Sequence, residues 1–397
     1  MITLACACST PRLNLSPSTV LYAQPLNCPT RNLAIAFRSI FIHCPLRSIV
    51  PPFTPLHNLH SALNLNTLTK AFNNMAPIPR TVLVVGSLNT DMTTRTRRLP
   101  NPGETIVAQA FSTAPGGKGA NQAVACCRLT RASSGAPPDG ISVKMVGAVG
   151  DDEFGGRLKD SLGQNGIDVE GVIVKEGFSS GVAVIIVDED TAENRILYTA
   201  GANEALTAQD FPENFFSSFN PLPSVLVLQL ETPLQTVLHL LTLASNAGIE
   251  TVLNPAPARH IPLQFYSKID HLILNESEAT YLTGEDVTYL DDDAGIQSTI
   301  NRLLERGVKR SVIITMGARG CYFKSSDGQE SWIRPEVRPQ DVVDTTGAGD
   351  TFVGAFAVAC AEGNGIGYSL NFATKAASIS IRKTGAQAGI PWRGEVQ

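Results

Sequence analysis

Residues 225–254, VLVLQLETPLQTVLHLLTLASNAGIETVLN, decide the fold, because an apolar strand pattern, a helix pattern and a second strand pattern follow one another. The helix is predicted to begin at Thr232-Pro233, since proline suits a first helical turn, and to end at Gly248. Its apolar residues recur with helical spacing and share one face. Two buried strands joined by a helix are typical of a parallel pair in an α/β protein.

The same alternation continues along the rest of the chain. Helical patterns separate further apolar runs that are typical of buried strands, at residues 81–85, 143–149, 271–275 and 312–315. We therefore predict a three-layer α/β fold, with a mostly parallel central sheet and helices on both faces. Ligands of such sheets bind at the carboxyl ends of the strands.

Three further strand patterns have no helix between them, at residues 105–111, 181–187 and 195–199. Extra strands of this kind form a side sheet, so a small β-sheet lid is predicted near residues 88–112 and 180–200. An exposed strand edge on such a lid favours pairing with a second chain. The pattern therefore also predicts a homodimer through the lid strands.

Residues 1–75 differ in composition from residues 76–397, which are predicted to form one domain with its lid. The first segment has five basic and no acidic residues, and it is expected to be disordered. It is either a mitochondrial transit peptide or an extension upstream of a true start at Met75, and its prolines oppose the long helix of a transit peptide. Basic residues interrupt the apolar patches at residues 31–50, so no transmembrane helix is predicted.

The net charge of −5 and the cysteines limit the partners and the compartment. No broad basic surface is expected, so neither a nucleic acid nor a membrane is predicted as a partner. Four cysteines lack the sequence spacing of a metal site and are predicted to be reduced core residues: Cys126, Cys127, Cys321 and Cys360. The protein is therefore predicted to be cytoplasmic or nuclear, or mitochondrial if residues 1–75 are a transit peptide.

The segment DTTGAGDTF, residues 344–352, is the richest in chemistry. Gly347-Ala348-Gly349 carries no large side chain, so backbone amides at a helix start can approach a phosphate closely. Asp350 lies in the same positive field, which is expected to keep it ionised and ready to accept a hydroxyl proton during phosphoryl transfer. Alternatively, Asp350 simply caps a helix.

A second glycine-rich segment, GGKGANQAVA, occupies residues 116–125. It is not a P-loop, because Gly119 stands where a serine or threonine would bind magnesium. We expect its glycines to let a polyhydroxylated ligand approach, with Lys118 and Asn121 as donors; the alternative is a flexible loop with a solvated lysine. Asn89 and Asp91 follow a buried strand and offer further polar groups.

These two segments resemble the signatures of the ribokinase family of PfkB-type carbohydrate kinases, and the resemblance covers residues 79–393. It implies ATP-dependent phosphorylation of D-ribose at O5, with Asp350 as the catalytic base and Mg²⁺ as a cofactor. It also implies sugar contacts from Asn89, Thr90, Asp91, Gly117, Lys118, Gly119, Ala120, Asn121 and Glu231. Glu231 could instead cap the helix that follows it.

On the nucleotide side, Asn275 and Glu278 are similar to the family's Asn-x-x-Glu motif, in which the glutamate binds magnesium through water. Alternatively, Asn275 and Glu278 lie on a solvated helix face. The loop at residues 315–320, which resembles the family's nucleotide loop, could likewise be an ordinary glycine-rich turn. The resemblance implies ATP contacts from Asn275, from the loop Thr315, Met316, Gly317, Ala318, Arg319 and Gly320, from Gly347, Ala348 and Gly349, and from Thr374.

Members of this branch of the family are activated by a monovalent cation. The matching positions here imply a potassium site at Asp344, Thr346, Ser380, Lys383, Gly385 and Gly389. Gly389 replaces the serine that the family pattern leads us to expect, which predicts weaker potassium binding.

Two rival functions remain open at this stage. The first is a kinase of the same fold for another acceptor, such as adenosine, fructose or a keto-deoxy sugar acid. The second is a sugar-binding regulator without catalytic activity.

Overall fold

The computed structural model describes residues 80–191 and 193–396, so the predictions for residues 1–75 lie outside the described residues. In chain order the strands are β1 (Arg80–Val85), β2 (Asn89–Thr96), β3 (Ala110–Gly116), β4 (Ile141–Gly150), β5 (Asp168–Lys175), β6 (Gly181–Asp188), β7 (Glu193–Thr199), β8 (Val225–Leu228), β9 (Glu250–Leu253), β10 (His271–Asn275), β11 (Ser311–Thr315), β12 (Cys321–Ser325) and β13 (Glu330–Ile333). The α-helices are α1 (Lys118–Leu129), α2 (Glu153–Gln164), α3 (Leu234–Ala247), α4 (Glu276–Thr283), α5 (Asp293–Glu305), α6 (Ala348–Ala361), α7 (Ile366–Ser380), α8 (Ala386–Gly389) and α9 (Arg393–Val396).

A nine-stranded sheet forms the centre, in the order β13-β12-β11-β10-β9-β8-β1-β4-β5. Seven neighbouring strands of this sheet, β11-β10-β9-β8-β1-β4-β5, pair in parallel. At one edge, β12 and β13 continue the sheet in antiparallel fashion. The predicted mostly parallel α/β architecture is therefore confirmed. Across the described ranges, no helix combines the length and apolar character needed to cross a bilayer.

Alternate side chains of one strand enter two separate cores. Val82 and Val84 of β1 pack into a core with α1, α2, α6 and α7, whereas Leu83 and Val85 pack into another with α3, α4 and α5. A strand that is buried on both faces needs an apolar residue at every position. This requirement explains why the strands read as continuous apolar runs in the sequence.

The strand–helix–strand unit of residues 225–254 folds as its sequence predicts. Strands β8 and β9 pair in parallel. Helix α3 begins at Leu234 directly after Pro233, and it ends where Gly248 adopts a left-handed conformation with φ 71°. Glycine is favoured at such a position because it has no Cβ to clash with the backbone.

A second sheet, in the order β3-β2-β6-β7, forms the lid. The strand expected at residues 105–111 lies elsewhere: β3 begins at Ala110 and continues to Gly116, which pairs with Asn89 of β2. Val107 is 93% exposed. Pairing with β2, and not local β-propensity, decides where this strand runs.

Candidate active site

A cavity of ≈220 Å³ lies at the carboxyl ends of the central strands, beside the start of α6. Seven predicted site residues line it: Lys118, Asn275, Glu278, Thr315, Gly347, Gly349 and Asp350. Asn254 also lines it and was not predicted. The cavity therefore brings the two glycine-rich signatures together with the Asn-x-x-Glu motif, although they are far apart in the sequence.

Asp350 is held by two side-chain amides from α1. Asn121 Nδ2 donates to Asp350 Oδ2 at 3.0 Å, and Gln122 Nε2 donates to Asp350 Oδ1 at 2.9 Å. The carboxylate is only 8% exposed. Both carboxylate oxygens thus have a fixed partner, and the rotamer of the side chain is defined on both sides.

Each of these amides is in turn oriented by a glutamine from another element. Gln387 Nε2 donates to Asn121 Oδ1 at 3.1 Å, and Gln229 Nε2 donates to Gln122 Oε1 at 2.6 Å. An amide whose oxygen accepts a hydrogen bond must turn its NH₂ group toward the carboxylate. We call Asn121, Gln122, Gln229 and Gln387 the amide clamp. Gln122, Gln229 and Gln387 were not predicted as site residues, although each stands in or beside a sequence stretch that resembles the family pattern.

Burial and nearby charges oppose one another at Asp350. Burial raises the pKa of Asp350, while the Lys118 ammonium and the two clamp amides pull it down. Burial also acts on Lys118, but the carboxylates of Asp350, Glu231 and Glu278 outweigh it and raise the pKa of Lys118. The expectation that a helix field alone keeps Asp350 ionised is therefore incomplete, because the clamp and Lys118 must offset desolvation.

The glycines before Asp350 have different roles. Gly347 has φ 77° and precedes α6, and a Cβ there would lie 2.9 Å from Ala386 Cα. Gly349 lines the cavity, and a Cβ there would meet nothing within 4 Å. The first glycine therefore makes the turn, and the second leaves the helix start open to an anion.

In the second signature, the glycines face protein and not open space. A Cβ at Gly119 would lie 2.5 Å from Ser87 N, and Gly117, with φ 89°, would place one 2.8 Å from Asn89 N. These residues let α1 approach the end of β1 closely. Packing therefore accounts for the missing side chains, and contact between the backbone of these glycines and a sugar stays a prediction. Ala120 also faces inward, since it belongs to the core.

Glu231 gathers the predicted sugar-side groups. Its Oε2 atom accepts from Ser87 Oγ at 2.6 Å, from Lys118 N at 3.0 Å and from Asn89 Nδ2 at 3.5 Å. Helix α3 has no side-chain cap. Glu231 therefore lies in a polar cluster and does not cap the helix.

Asp91 and Thr90 belong to the lid strand β2, and Thr90 is buried. Burial, with smaller contributions from Glu231 and Asp350, raises the pKa of Asp91 from 3.8 to about 6. Asp91 therefore releases its proton less readily than an exposed aspartate, because burial and the carboxylates of Glu231 and Asp350 disfavour its charged form.

Asn203 joins the lid to the central sheet and was missed by sequence reasoning. Its Oδ1 atom accepts from Leu88 N at 2.9 Å, and its Nδ2 atom donates to Leu88 O at 3.1 Å and to Asn89 Oδ1 at 2.8 Å. Tyr198 of β7 reaches the same region, where its hydroxyl donates to the backbone oxygen of Glu231 at 3.5 Å. The lid therefore borders the polar cluster.

On the nucleotide side, Asn275 and Glu278 form a reciprocal cap at the start of α4. Asn275 Oδ1 accepts from Glu278 N at 2.8 Å, and Glu278 Oε2 accepts from Asn275 N at 2.9 Å. Both residues also line the cavity. The motif thus caps helix α4 and also faces the cavity, so it is not a solvated helix face.

The remaining nucleotide-side residues lie outside the lining of the cavity. The loop after β11 forms a turn of 3₁₀ helix over Gly317–Arg319, between buried Met316 and Gly320, whose φ is 90°. Ala318 lies within that turn, and the guanidinium of Arg319 lies over the Trp332 ring, 5.2 Å from its centroid. Thr374 is buried, with its hydroxyl 3.9 Å from Cys321 Sγ.

The positions matched to a potassium site converge beside α8. Asp344 Oδ1 accepts from Thr346 N at 2.9 Å, and Oδ2 accepts from Gly385 N at 2.8 Å. Burial alone would raise the pKa of Asp344, but these amide contacts lower it, so the carboxylate is ionised. Over the ranges that the structure describes, the carbonyls of Thr346 and Lys383 accept no hydrogen bond. An anionic carboxylate and unpaired carbonyls are donors that fit a weakly hydrated cation.

Gly389 packs against backbone carbonyl oxygens of the same predicted potassium site. A Cβ there would lie 2.6 Å from Ser380 O and 3.5 Å from Lys383 O. The glycine therefore lets the chain pass close to these carbonyls, where a serine would require them to move.

A buried carboxylate, a lysine and an open helix start at the carboxyl ends of a parallel sheet define a phosphotransferase that acts on a small molecule. The chain belongs to the pfkB family of carbohydrate kinases, whose family model matches residues 79–393.

Individual relatives agree with this assignment. The chain is 39% identical over 317 residues to the ribokinase of Schizosaccharomyces pombe, covering 78% of this chain and 94% of the relative. It is 36% identical over 313 residues to the deoxyribokinase of Salmonella typhi, covering 78% and 95%. The solved structure of Arabidopsis thaliana ribokinase complexed with ribose and ATP matches with a TM-score of 0.70 and 31% identity, over 80% of this chain and 97% of that one.

Proposed function

We propose that the chain phosphorylates D-ribose at O5, converting ATP to ADP and the sugar to ribose 5-phosphate. The observation that carries this proposal is the clamped Asp350 carboxylate, which lines the same cavity as Lys118 and the open helix start at Gly349. A hydroxyl placed at that carboxylate would face a phosphate placed at the helix start. That is the arrangement in-line transfer needs.

In this mechanism, Asp350 accepts the proton of the sugar hydroxyl as the bond to phosphorus forms. The amide clamp keeps both carboxylate oxygens in place, so no reorientation is needed during the reaction. Lys118 and the amides at the start of α6 offset the negative charge of the transferred group. Burial makes the ionised carboxylate a stronger base than an exposed aspartate.

The polar cluster beside the base supports a sugar as the acceptor. Asn89, Asp91 and Glu231 offer carboxylate acceptors and an amide group, which can bind neighbouring hydroxyls. Several similar proteins are ribokinases, and one solved relative holds ribose and ATP. A nucleobase or a sugar carboxylate would call for stacking or basic groups in place of this acceptor-rich cluster.

Magnesium fits the cavity wall through Glu278. Both carboxylate oxygens already accept hydrogen bonds from Asn275, so contact through a water molecule suits this residue better than direct ligation. When bound, Mg²⁺ supplies charge neutralisation between the phosphates.

Potassium is proposed as an activator at the site around Asp344. The donor set described above suits a large monovalent cation. Its position directly before Gly347 would let an occupied site order the helix start.

We further propose that the protein forms a homodimer through the lid. We also propose that it is located in the cytoplasm and in the nucleus. The lid exposes apolar side chains on β3 and β7, namely Phe111, Ile196 and Leu197. Exposed apolar groups next to a free strand edge favour pairing with a second copy. Sedimentation at several concentrations tests the dimer, and imaging of the tagged full chain tests the location, including a mitochondrial one.

A second acceptor, 2-deoxy-D-ribose, is favoured by one observation. The deoxyribokinase relative is nearly as similar to this chain as the ribokinase relative. The two acceptors differ in the 2-hydroxyl alone, so a site that hydrogen-bonds this group would reject the deoxy sugar strongly.

The test is a coupled ADP assay of the full chain with a panel of D-ribose, 2-deoxy-D-ribose, fructose, adenosine and a keto-deoxy sugar acid, with and without potassium. We expect D-ribose to give the highest kcat/KM. Asp350→Asn should lose at least about 10²-fold in kcat, as expected when a general base is removed. Asp327→Asn, in an exposed turn, is the matched control and should retain full activity.

Two outcomes would overturn the proposal. One is a higher kcat/KM for another member of the panel, and the other is ribose binding without ATP turnover, which would indicate a regulator. A folded Asp350→Asn protein with near wild-type kcat would refute the assigned base.

A further inference from the structure

A cluster of three different metal-binding side chains lies at the opposite end of the sheet from the cavity. Glu250 begins β9, His271 begins β10 and Cys360 lies in the last turn of α6. One potential ligand atom of each lies within 4.8 Å of the others. Because α6 begins beside the cavity, Cys360 is about 15 Å from Asp350, at 1.5 Å per helical residue.

We infer that Glu250, His271 and Cys360 bind a divalent transition-metal ion of the zinc class. A thiolate, an imidazole and a carboxylate are the donors that zinc prefers, and three protein ligands leave a fourth position for water. Zinc bonds of about 2.0–2.3 Å place two tetrahedral ligand atoms roughly 3.3–3.8 Å apart. His271 Nε2 and Glu250 Oε1, which lie 2.8 Å apart, would therefore separate slightly, while wider pairs within the 4.8 Å cluster would close. Cys360 can supply that movement, because it lies at a helix end and is partly exposed.

The neighbours of His271 favour this role. Its Nδ1 atom lies 2.7 Å from Ser311 Oγ, and its Nε2 atom lies 2.8 Å from Glu250 Oε1. A hydroxyl can donate or accept, so Ser311 can hold either tautomer of the ring. With metal at Nε2, the Nδ1–H group would donate to Ser311 Oγ, and a hydrogen bond at this ring nitrogen fixes the orientation of a metal-bound histidine.

The surrounding charges also fit a dication. Glu250 Oε1 accepts from Arg310 at 3.0 Å, and Asp270 lies on the other side of that guanidinium, 3.8 Å away. Throughout the described ranges, Glu250 Oε2 has no hydrogen-bond partner. Arg310 is 58% exposed and can move into solvent. Two carboxylates against one arginine leave a net negative charge. Burial raises the pKa of the Cys360 thiol, so its negative charge is added only when a metal ion displaces the proton.

Binding can be written with its protons balanced. The Cys360 thiol loses its proton to solvent as the sulfur–metal bond forms. A His271 ring that starts neutral moves its proton from Nε2 to Nδ1, with no net change. About one proton is therefore released for each metal ion bound. No oxidation or reduction is involved.

The test uses the purified full chain, stripped with a chelator and titrated with Co²⁺. We expect visible ligand-field bands and a near-ultraviolet thiolate band, both reversed by Zn²⁺. In Cys360→Ser, one equivalent of this signal should disappear and zinc affinity should fall at least tenfold. In Ser311→Ala, affinity should fall roughly 10- to 100-fold. Cys127→Ser, a buried thiol on α1, is the matched control and should bind as wild type.

A second measurement protects the result against misfolding. Zn²⁺ should raise the thermal unfolding midpoint of the wild type, but not that of Glu250→Gln, which keeps the size of the side chain. Equal cobalt spectra for wild type and Cys360→Ser would overturn the inference, as they would place the metal on other cysteines of the chain. A missing thiolate band in the wild type would overturn it as well.

Discussion

Replacing Gln122 by leucine tests the amide clamp directly. The change removes the donor that lies 2.9 Å from Asp350 Oδ1 while keeping a side chain of similar size. Because Asp350 keeps its second donor, Asn121, the carboxylate should remain in the site but lose half of its restraint. A hydrogen bond to a charged group contributes roughly 1.5–3 kcal/mol. If that energy is lost in the transition state, kcat falls about 10- to 150-fold.

The assay is steady-state turnover of the sugar across pH, with kcat and KM determined separately. Burial already raises the pKa of Asp350, and the Gln122 amide lowers it. Losing that amide should therefore move the acid limb of the kcat–pH profile to higher pH, while KM for the sugar changes little. A role in packing alone would lower stability without moving this limb.

Gln122→Glu is the sharper variant, because it keeps the shape and brings a second carboxylate to Asp350. Two carboxylates at hydrogen-bonding distance share a proton, so the acid limb should move further than in Gln122→Leu. Gln329→Leu is the control, since Gln329 donates to an exposed aspartate far from the site. A folded Gln122→Leu protein with kcat within about twofold of wild type and an unmoved limb would refute the clamp.

Three further predictions concern single residues. Burial raises the pKa of Asp91 from 3.8 to about 6, so the free energy of unfolding should fall as pH rises through that window. In Asp91→Asn, denaturation curves at several pH values should no longer show this fall. An unchanged fall in the variant would contradict the assignment. Gly119→Ala should cost about 1–3 kcal/mol in the unfolding free energy because its Cβ meets backbone, whereas Gly156→Ala, with open space around its Cβ, should be neutral or stabilising. Gly389→Ser should lower the potassium concentration for half-maximal activity if the glycine weakens potassium binding as the family pattern predicts. A higher concentration would show that the added Cβ displaces Ser380 O and disturbs the site.

The central sheet could be predicted because its information is local. Each strand is buried on both faces, so continuous apolar runs mark strands, and glycines such as Gly248 mark helix ends. The lid strands were harder, because their bounds depend on their partners. Residues 105–108 have strand-like composition but belong to no sheet in the described part of the chain, and Val107 is exposed to solvent.

The candidate site divides in the same way. Asp350 and the two glycine-rich signatures could be found because each is a contiguous stretch with a chemical meaning. Gln229 and Gln387 lie more than a hundred residues from the amides that they orient, so no local pattern shows these pairings. The glycines of the second signature were assigned to a ligand because a glycine pattern shows only that side chains are missing. The sequence does not show whether a ligand or a neighbouring part of the chain requires the space.

The clamp also changes how the base itself is understood. A buried aspartate without partners would take up a proton and lose its function, while an exposed one would be a weak base. Burial raises the pKa of Asp350, and Lys118, Asn121 and Gln122 each oppose that rise and favour the anionic form. Since the family resemblance assigns Asn121 to the sugar, one amide must serve both ligand and base. Substitution at Asn121 should therefore change KM and kcat together, whereas substitution at Gln122, which the resemblance does not assign to the sugar, should change kcat alone.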